Sequence, residues 1–315
     1  MRKIFFLLLM IFSCSLQAQQ SVQYSQFLLN DYGLNPAVAG SSKEIMFMVG
    51  RRTQWIGFSL APETNFASVT KDFGKKGYRR YWHGVGAYVE QDKFGLFSSK
   101  SGYGSYAVHL KLSHKLFMSV GVAAGVKQIS VSNSLFDAND PALNNRDLQV
   151  LLPSIVPGVY LYSKKLAISI AVRNLYQSRM KQGNKEIGGG VLIPEAYVTL
   201  SRKFRSPGYD YIFVPAIHIQ SSFIGIPAAS FNFMAFYRKR IGLGLTYRMH
   251  DAVAAIIQVR IAKNIVVGFS YDYTVSRFRS AKANSTEIMM GFSPIMSSDG
   301  YDGRNNVAEC PKFEF

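Results

Sequence analysis

From residue 44 to residue 293 the chain repeats one pattern, in which every second side chain is apolar or aromatic over runs of about eight to ten residues. Ile241, Leu243, Leu245 and Tyr247 alternate with Gly242, Gly244, Thr246 and Arg248. Val267, Phe269, Tyr271 and Tyr273 oppose Gly268, Ser270 and Asp272, while Leu166, Ile168, Ile170 and Val172 oppose Ala167, Ser169, Ala171 and Arg173. A period of two places the oily row on one face of a strand and the small or polar row on the other. The pattern predicts about fourteen strands, at 44–52, 64–73, 82–92, 102–113, 116–130, 154–162, 166–173, 195–204, 209–219, 230–237, 241–248, 252–261, 265–273 and 286–293. Strands that cross a bilayer need about 9–11 residues, which most of these runs supply.

The connections add a second signal. Joins after even-numbered strands are short, as at Ser113–Lys115, Ser163–Lys165, Arg238–Arg240 and Ala262–Asn264. Most joins after odd-numbered strands are longer, notably Val131–Pro153 and Asn174–Pro194, with Met249–Asp251 the exception. Short turns on one side and long loops on the other mark an outer-membrane barrel. A soluble sandwich explains the alternation, but not the loop asymmetry, the oily rows and an export signal together. In lipid an open sheet edge leaves backbone groups unpaired, so such strands must close on themselves. The expected fold class is therefore all-β: a transmembrane antiparallel up-and-down β-barrel with both termini periplasmic. Composition agrees, because 17% charged and 48% hydrophobic residues suit neither a disordered chain nor a helical membrane bundle.

The chain divides into four parts: 1–18, a signal peptide; 19–43, a plug or strap; 44–293, the barrel; and 294–315, a periplasmic tail. Arg2 and Lys3, the apolar Ile4–Phe12 and the closing Leu16-Gln17-Ala18 make the export signal. Lipoprotein processing before Cys14 is the rival reading, and Phe12 fits it poorly. Cleavage removes Cys14 and leaves Cys310, which excludes a disulfide scaffold and a cysteine-rich metal site.

The chain carries 36 Lys+Arg against 19 Asp+Glu, and the excess gathers at strand ends. Lys75, Lys76, Arg79 and Arg80 share one turn; Lys164 and Lys165, then Arg202, Lys203 and Arg205, then Arg238, Lys239 and Arg240 share others. On a barrel they ring the periplasmic rim, meeting lipid head groups or docking an acidic partner. Export and scattering over many turns argue against nucleic acid. His83, His109, His114, His218 and His250 lack metal-ligand spacing, and no G-x-S-x-G, H-E-x-x-H or Walker loop is present. The acidic Asp137–Asp140 run has Ala142 and Leu148 where a calcium loop needs Gly and Glu. No catalytic residue, cofactor or metal is expected.

Several segments in order carry a resemblance. Gln23-Tyr24-Ser25-Gln26-Phe27 is followed by Leu34-Asn35-Pro36-Ala37-Val38-Ala39-Gly40, then by Arg52-Thr53-Gln54-Trp55-Ile56-Gly57 and Pro62-Glu63-Thr64. The Asp137–Pro141 loop and the closing Cys310-Pro311-Lys312-Phe313 complete the set. Together they resemble the PorP/SprF family of outer-membrane proteins from the Bacteroidota, associated with type IX secretion and gliding motility. The resemblance implies a barrel that acts by protein–protein contact in secretion or surface attachment of an adhesin-like substrate. The partners it implies are other secretion components, including a periplasmic peptidoglycan-associated one, the secreted adhesin-like substrate, and outer-membrane lipid and lipopolysaccharide. A 14-stranded channel for small hydrophobic ligands is the alternative, since barrels of this size can enclose a lumen.

Candidate contact residues follow. Asn35, Pro36 and Gly40 enforce turns in a segment that folds either into the barrel as a plug or across the rim as a strap. Arg52, Gln54 and Trp55 form a partner patch on the first loop, or else Trp55 and Trp82 belong to an aromatic girdle. In the tail, Cys310, Pro311 and Phe313 are candidates for contact with the machinery's periplasmic part.

Overall fold

A computed structural model describes residues 22–42, 45–74, 80–131, 148–175, 179–182, 185–191, 193–208, 210–222, 227–262, 264–276 and 283–294. The strands are β1 (Met46–Thr53), β2 (Glu63–Phe73), β3 (Tyr81–Phe94), β4 (Phe97–Lys111), β5 (Leu116–Val131), β6 (Leu148–Ser163), β7 (Leu166–Arg173), β8 (Arg179–Gln182), β9 (Lys185–Val191), β10 (Glu195–Arg202), β11 (Phe204–Arg205), β12 (Tyr211–Ser222), β13 (Ala228–Tyr237), β14 (Ile241–Arg248), β15 (Ala252–Ala262), β16 (Ile265–Thr274) and β17 (Ser285–Phe292). No helix among the described residues is long and apolar enough to cross a membrane.

Sequence neighbours pair antiparallel around the wall, and β17 returns to β1 from Phe47↔Phe292 to Thr53↔Thr286, which closes the sheet. Strands β10 and β11 are one strand broken at Lys203, so the wall has fourteen. The break has a cause on the facing strand. Ser201 pairs with Ala216 and Phe204 with Phe213, and between them β12 carries Pro215, which has no N–H to give. Strands β8 and β9 form a separate hairpin between β7 and β10.

The outward row is the oily one. Leu243 and Leu245 are 58% and 59% exposed, whereas Thr246 and Arg248 on the other row are buried. Buried inward residues mean that the lumen is occupied, because a water-filled barrel would leave them wet. Exposed aromatics Phe73, Tyr81, Phe204, Tyr211 and Tyr237 stand at the short-turn rim, with the Tyr211 and Tyr237 rings 5.1 Å apart.

Two expectations need correction. Strand β4 starts at Phe97 and not at residue 102, and β6 at Leu148 and not at 154, so the β3–β4 join is the turn Gly95-Leu96 and not a long loop. Ser98, Ser99, Lys100 and Ser101 lack an oily row, yet strand pairing continues through them, since a strand that projects past the lipid needs no apolar face. Trp82 is not a girdle residue: it is 3% exposed and points inward, on the same row as Gly84 and Gly86. The signal peptide, the Asp137–Pro141 loop and residues 295–315 lie outside the described residues.

A charge on the outward row tests this assignment. Replacing Leu243 by Arg is expected to destabilise the barrel by about 2–4 kcal/mol in denaturant unfolding from vesicles.

Candidate functional site

Residues 22–42 lie inside the barrel, as a turn at Ser25–Asn30, a short helix at Asp31–Leu34 and a 3-10 turn at Pro36–Val38. Most of these residues are buried and none is exposed. Three groups of wall residues hold the segment.

The first group is ionic. The Ser25 and Gln26 amides donate to the two carboxylate oxygens of Glu287 at 3.0 and 2.9 Å. The Ser25 hydroxyl donates to Asp272 at 2.6 Å and accepts from Arg248 at 2.9 Å. Arg52 bridges Asp272 at 2.8 Å and Glu287 at 3.1 Å. Two guanidinium groups thus face two carboxylates from β1, β14, β16 and β17, across the seam where the barrel closes. Buried charges persist only when paired and hydrogen-bonded, and here the N-terminal segment supplies part of that pairing.

The second group centres on Glu90, which accepts from Tyr24 at 3.1 Å and Tyr88 at 2.6 Å and pairs with Arg173 at 3.6 Å. Arg173 also donates to the Gly33 carbonyl and lies over the rings of Tyr88 and Tyr197 at 5.7 and 5.5 Å. Nearby, Phe27 stacks on His218 at 5.0 Å.

The third group grips the 3-10 turn. Asn35 accepts from the Ala37 amide at 2.9 Å, capping the turn, and donates to Ser169 at 2.8 Å and the Val159 carbonyl at 2.9 Å. Trp82 donates to the Gly40 carbonyl at 2.9 Å. His109 Nε2 lies 2.7 Å from the Ala39 carbonyl, which can only accept, so in the neutral ring Nδ1 receives the Tyr162 hydroxyl at 2.9 Å. Tyr32 meets Ser105 at 2.8 Å; burial pushes its hydroxyl up to about 12, with the Ser105 bond pulling the other way, so it remains a neutral phenol.

Close approach explains glycines in mid-strand. A Cβ on Gly84 would come 2.0 Å from the Ala39 carbonyl oxygen, and one on Gly121 would come 2.6 Å from the Ala37 Cα. Gly40 itself has φ +76, in the left-handed region that favours glycine. Beside the segment a cavity of about 90 Å³ remains, walled by Leu29, Leu34, Tyr160, Val214, Met234 and Phe236.

Asn35, Pro36, Gly40 and Arg52 all lie in this interior, but Arg52 belongs to the ionic group and the other three to the group around the 3-10 turn. The structure places Arg52 in the lumen, 2% exposed, and not on the first loop. Gln54 closes that loop through its amide to the Pro62 carbonyl at 2.9 Å, and Trp55 meets Phe94 edge-on at 6.1 Å, so the three form no single patch. Cys310, Pro311 and Phe313 lie outside the described residues. Sequence reading did not single out Asp272, Glu287, Arg248, Arg173 or Glu90. A signal was present: charges on the small row of a membrane strand require partners inside. Among the described residues, no three His, Cys, Asp or Glu side chains gather as a metal site.

Arg52→Met leaves both carboxylates short of a partner and is expected to cost about 3–5 kcal/mol. Arg51→Met, which breaks an exposed pair with Glu63, is expected to cost under about 1 kcal/mol. Heat-induced mobility shift on gels reads both, and chymotrypsin cleavage near Phe27 should rise in the first variant alone. Gly121→Val is expected to displace the 3-10 turn at a cost of about 1–3 kcal/mol by the same assay.

Residues 16–292 match the family described as "Type IX secretion system membrane protein PorP/SprF". No curated protein matches the chain in sequence. In shape it is similar to the CymD monoaromatic hydrocarbon channel, with a TM-score of 0.51, 11% identity and coverage of 86% of this chain and 92% of that one. It is also similar to a Pseudomonas aeruginosa FadL homologue (TM-score 0.44, 8% identity, 82% and 91% covered). The translocator domain of the autotransporter NalP from Neisseria meningitidis gives a TM-score of 0.42 at 8% identity, with 85% and 96% covered. At such identity the likeness to CymD bears on the fold alone.

Proposed function

Because the chain belongs to the PorP/SprF family of type IX secretion system membrane proteins, we propose that it serves that system by protein–protein contact and not by conducting solutes. The family and the fold are those of an outer-membrane barrel of a secretion system, not of an enzyme. The observation that carries the contact reading is the filled lumen. Residues 22–42 make polar contacts with wall strands on both sides of the closing seam, and these contacts hold the segment in the path a solute would take.

On this reading residues 19–43 act as a plug. The strand ends Met46 and Phe292 and the short turns face the periplasm, where the 294–315 tail, through Cys310, Pro311 and Phe313, meets the periplasmic, peptidoglycan-associated part of the machinery. The long strands β3 to β6, of 14 to 16 residues, rise on the opposite rim, where a secreted adhesin-like substrate would be met together with lipopolysaccharide. The channel reading is less well supported, because a cavity of about 90 Å³ is small beside the roughly 300–1,000 Å³ of ordinary ligand pockets.

Crosslinking of the tagged chain in intact cells should capture periplasmic secretion components and a large surface protein. Deleting the chain should remove that surface protein while small-molecule uptake stays intact. Loss of uptake with secretion unchanged would contradict the proposal.

A further inference from the structure

We propose that the short-turn rim between β10 and β14 is a binding site for the head groups of anionic glycerophospholipids. The sector carries five exposed cations: Arg202, Arg205, Arg238, Lys239 and Arg240. Asp210 is the one acid of this sector among the described residues, and Arg238 pairs with it at 3.1 Å, so the charge is far from balanced. Adjacent strands lie about 4.8 Å apart. The cations on β10, β11 and the β13–β14 turn therefore fall within reach of two neighbouring phosphodiesters.

The placement of the cations selects lipid over a soluble acidic protein. Arg202 lies over the Phe204 ring at 5.0 Å, and Arg238 over the Tyr237 ring at 5.2 Å. Phe204, Tyr211 and Tyr237 are outward-facing and exposed, on the face that meets acyl chains. A guanidinium stacked on such a ring sits at the depth where the hydrocarbon ends and phosphate begins.

The turn adds an independent observation. The Arg240 backbone amide donates to the Tyr237 carbonyl at 3.0 Å, across a turn whose central residues Arg238 and Lys239 have φ 46 and φ 56. Both positions are left-handed, and turns of this form ordinarily hold Asn-Gly. The chain instead keeps two cations there against backbone strain, which points to a use for their charge.

The test uses the full chain refolded into nanodiscs of phosphatidylcholine doped with phosphatidylglycerol, with bound lipid counted by native mass spectrometry; parallel arms add lipid A to the nanodiscs or polyglutamate to the buffer. The wild type should retain phosphatidylglycerol preferentially. Each removed cation should weaken that preference about fivefold, and the R202Q/R238N/K239G variant by about a hundredfold. R238N/K239G alone should raise the thermal midpoint in pure phosphatidylcholine, because it relieves the turn, while still losing phosphatidylglycerol. A merely structural role for these residues cannot give that split. Equal retention of both lipids by the wild type, or wild-type preference in the triple variant, would overturn the proposal. Charge-dependent capture of soluble polyglutamate without phosphatidylglycerol preference would overturn it in favour of an acidic protein, and lipid A retained in place of phosphatidylglycerol would also contradict it.

Discussion

Inside a bilayer no water is available to a backbone amide, so a sheet there must satisfy every hydrogen bond within itself. That requirement makes the return of β17 to β1 the pairing on which the rest of the molecule depends. Once closed, the wall sorts the period-2 rows without further instruction: Leu243 and Leu245 go to lipid, and Thr246 and Arg248 go to the interior. Closure also creates a hollow lined by charges that cannot remain bare. Arg52 arrives on β1, Arg248 on β14, Asp272 on β16 and Glu287 on β17, and they meet where the first and last strands join. The N-terminal segment completes that cluster with Ser25 and Gln26, so the fold of the wall and the seating of the segment are one problem in electrostatics.

Much of the wall was legible because spanning strands in lipid obey a strict rule. The runs at 166–173 and 241–248 coincide with β7 and β14. Reading failed where the rule lapses. Around Ser98–Ser101 the strand leaves the lipid, both faces turn polar and the alternation vanishes, although the ladder to β5 continues. Trp82 was misplaced by its chemical type, since indoles favour interfaces; its row, shared with Gly84 and Gly86, pointed inward all along. The glycines were small because the Ala37–Gly40 backbone lies against them.

The interior was harder to read for a different reason. Asn35 and Gly40 stand out as turn formers, but their partners lie far along the chain: Ser169 for Asn35, and Trp82 for Gly40. Ser25 and Glu287 are separated by 262 positions. Local periodicity carries no information about such pairs until the strand order is known. What the sequence did offer was the oddity of Arg173, Arg248 and Asp272 on rows of small residues, each of which had to find an opposite charge or a polar backbone group inside.

Buried ion pairs and capped backbone groups hold residues 22–42 inside the barrel, across the path a solute would take. Planar-bilayer recording tests this most directly. The intact chain should insert without steady conductance, and a chain lacking residues 22–41 should show discrete open steps. A stable ohmic current from the intact chain, unchanged by that deletion, would contradict the account.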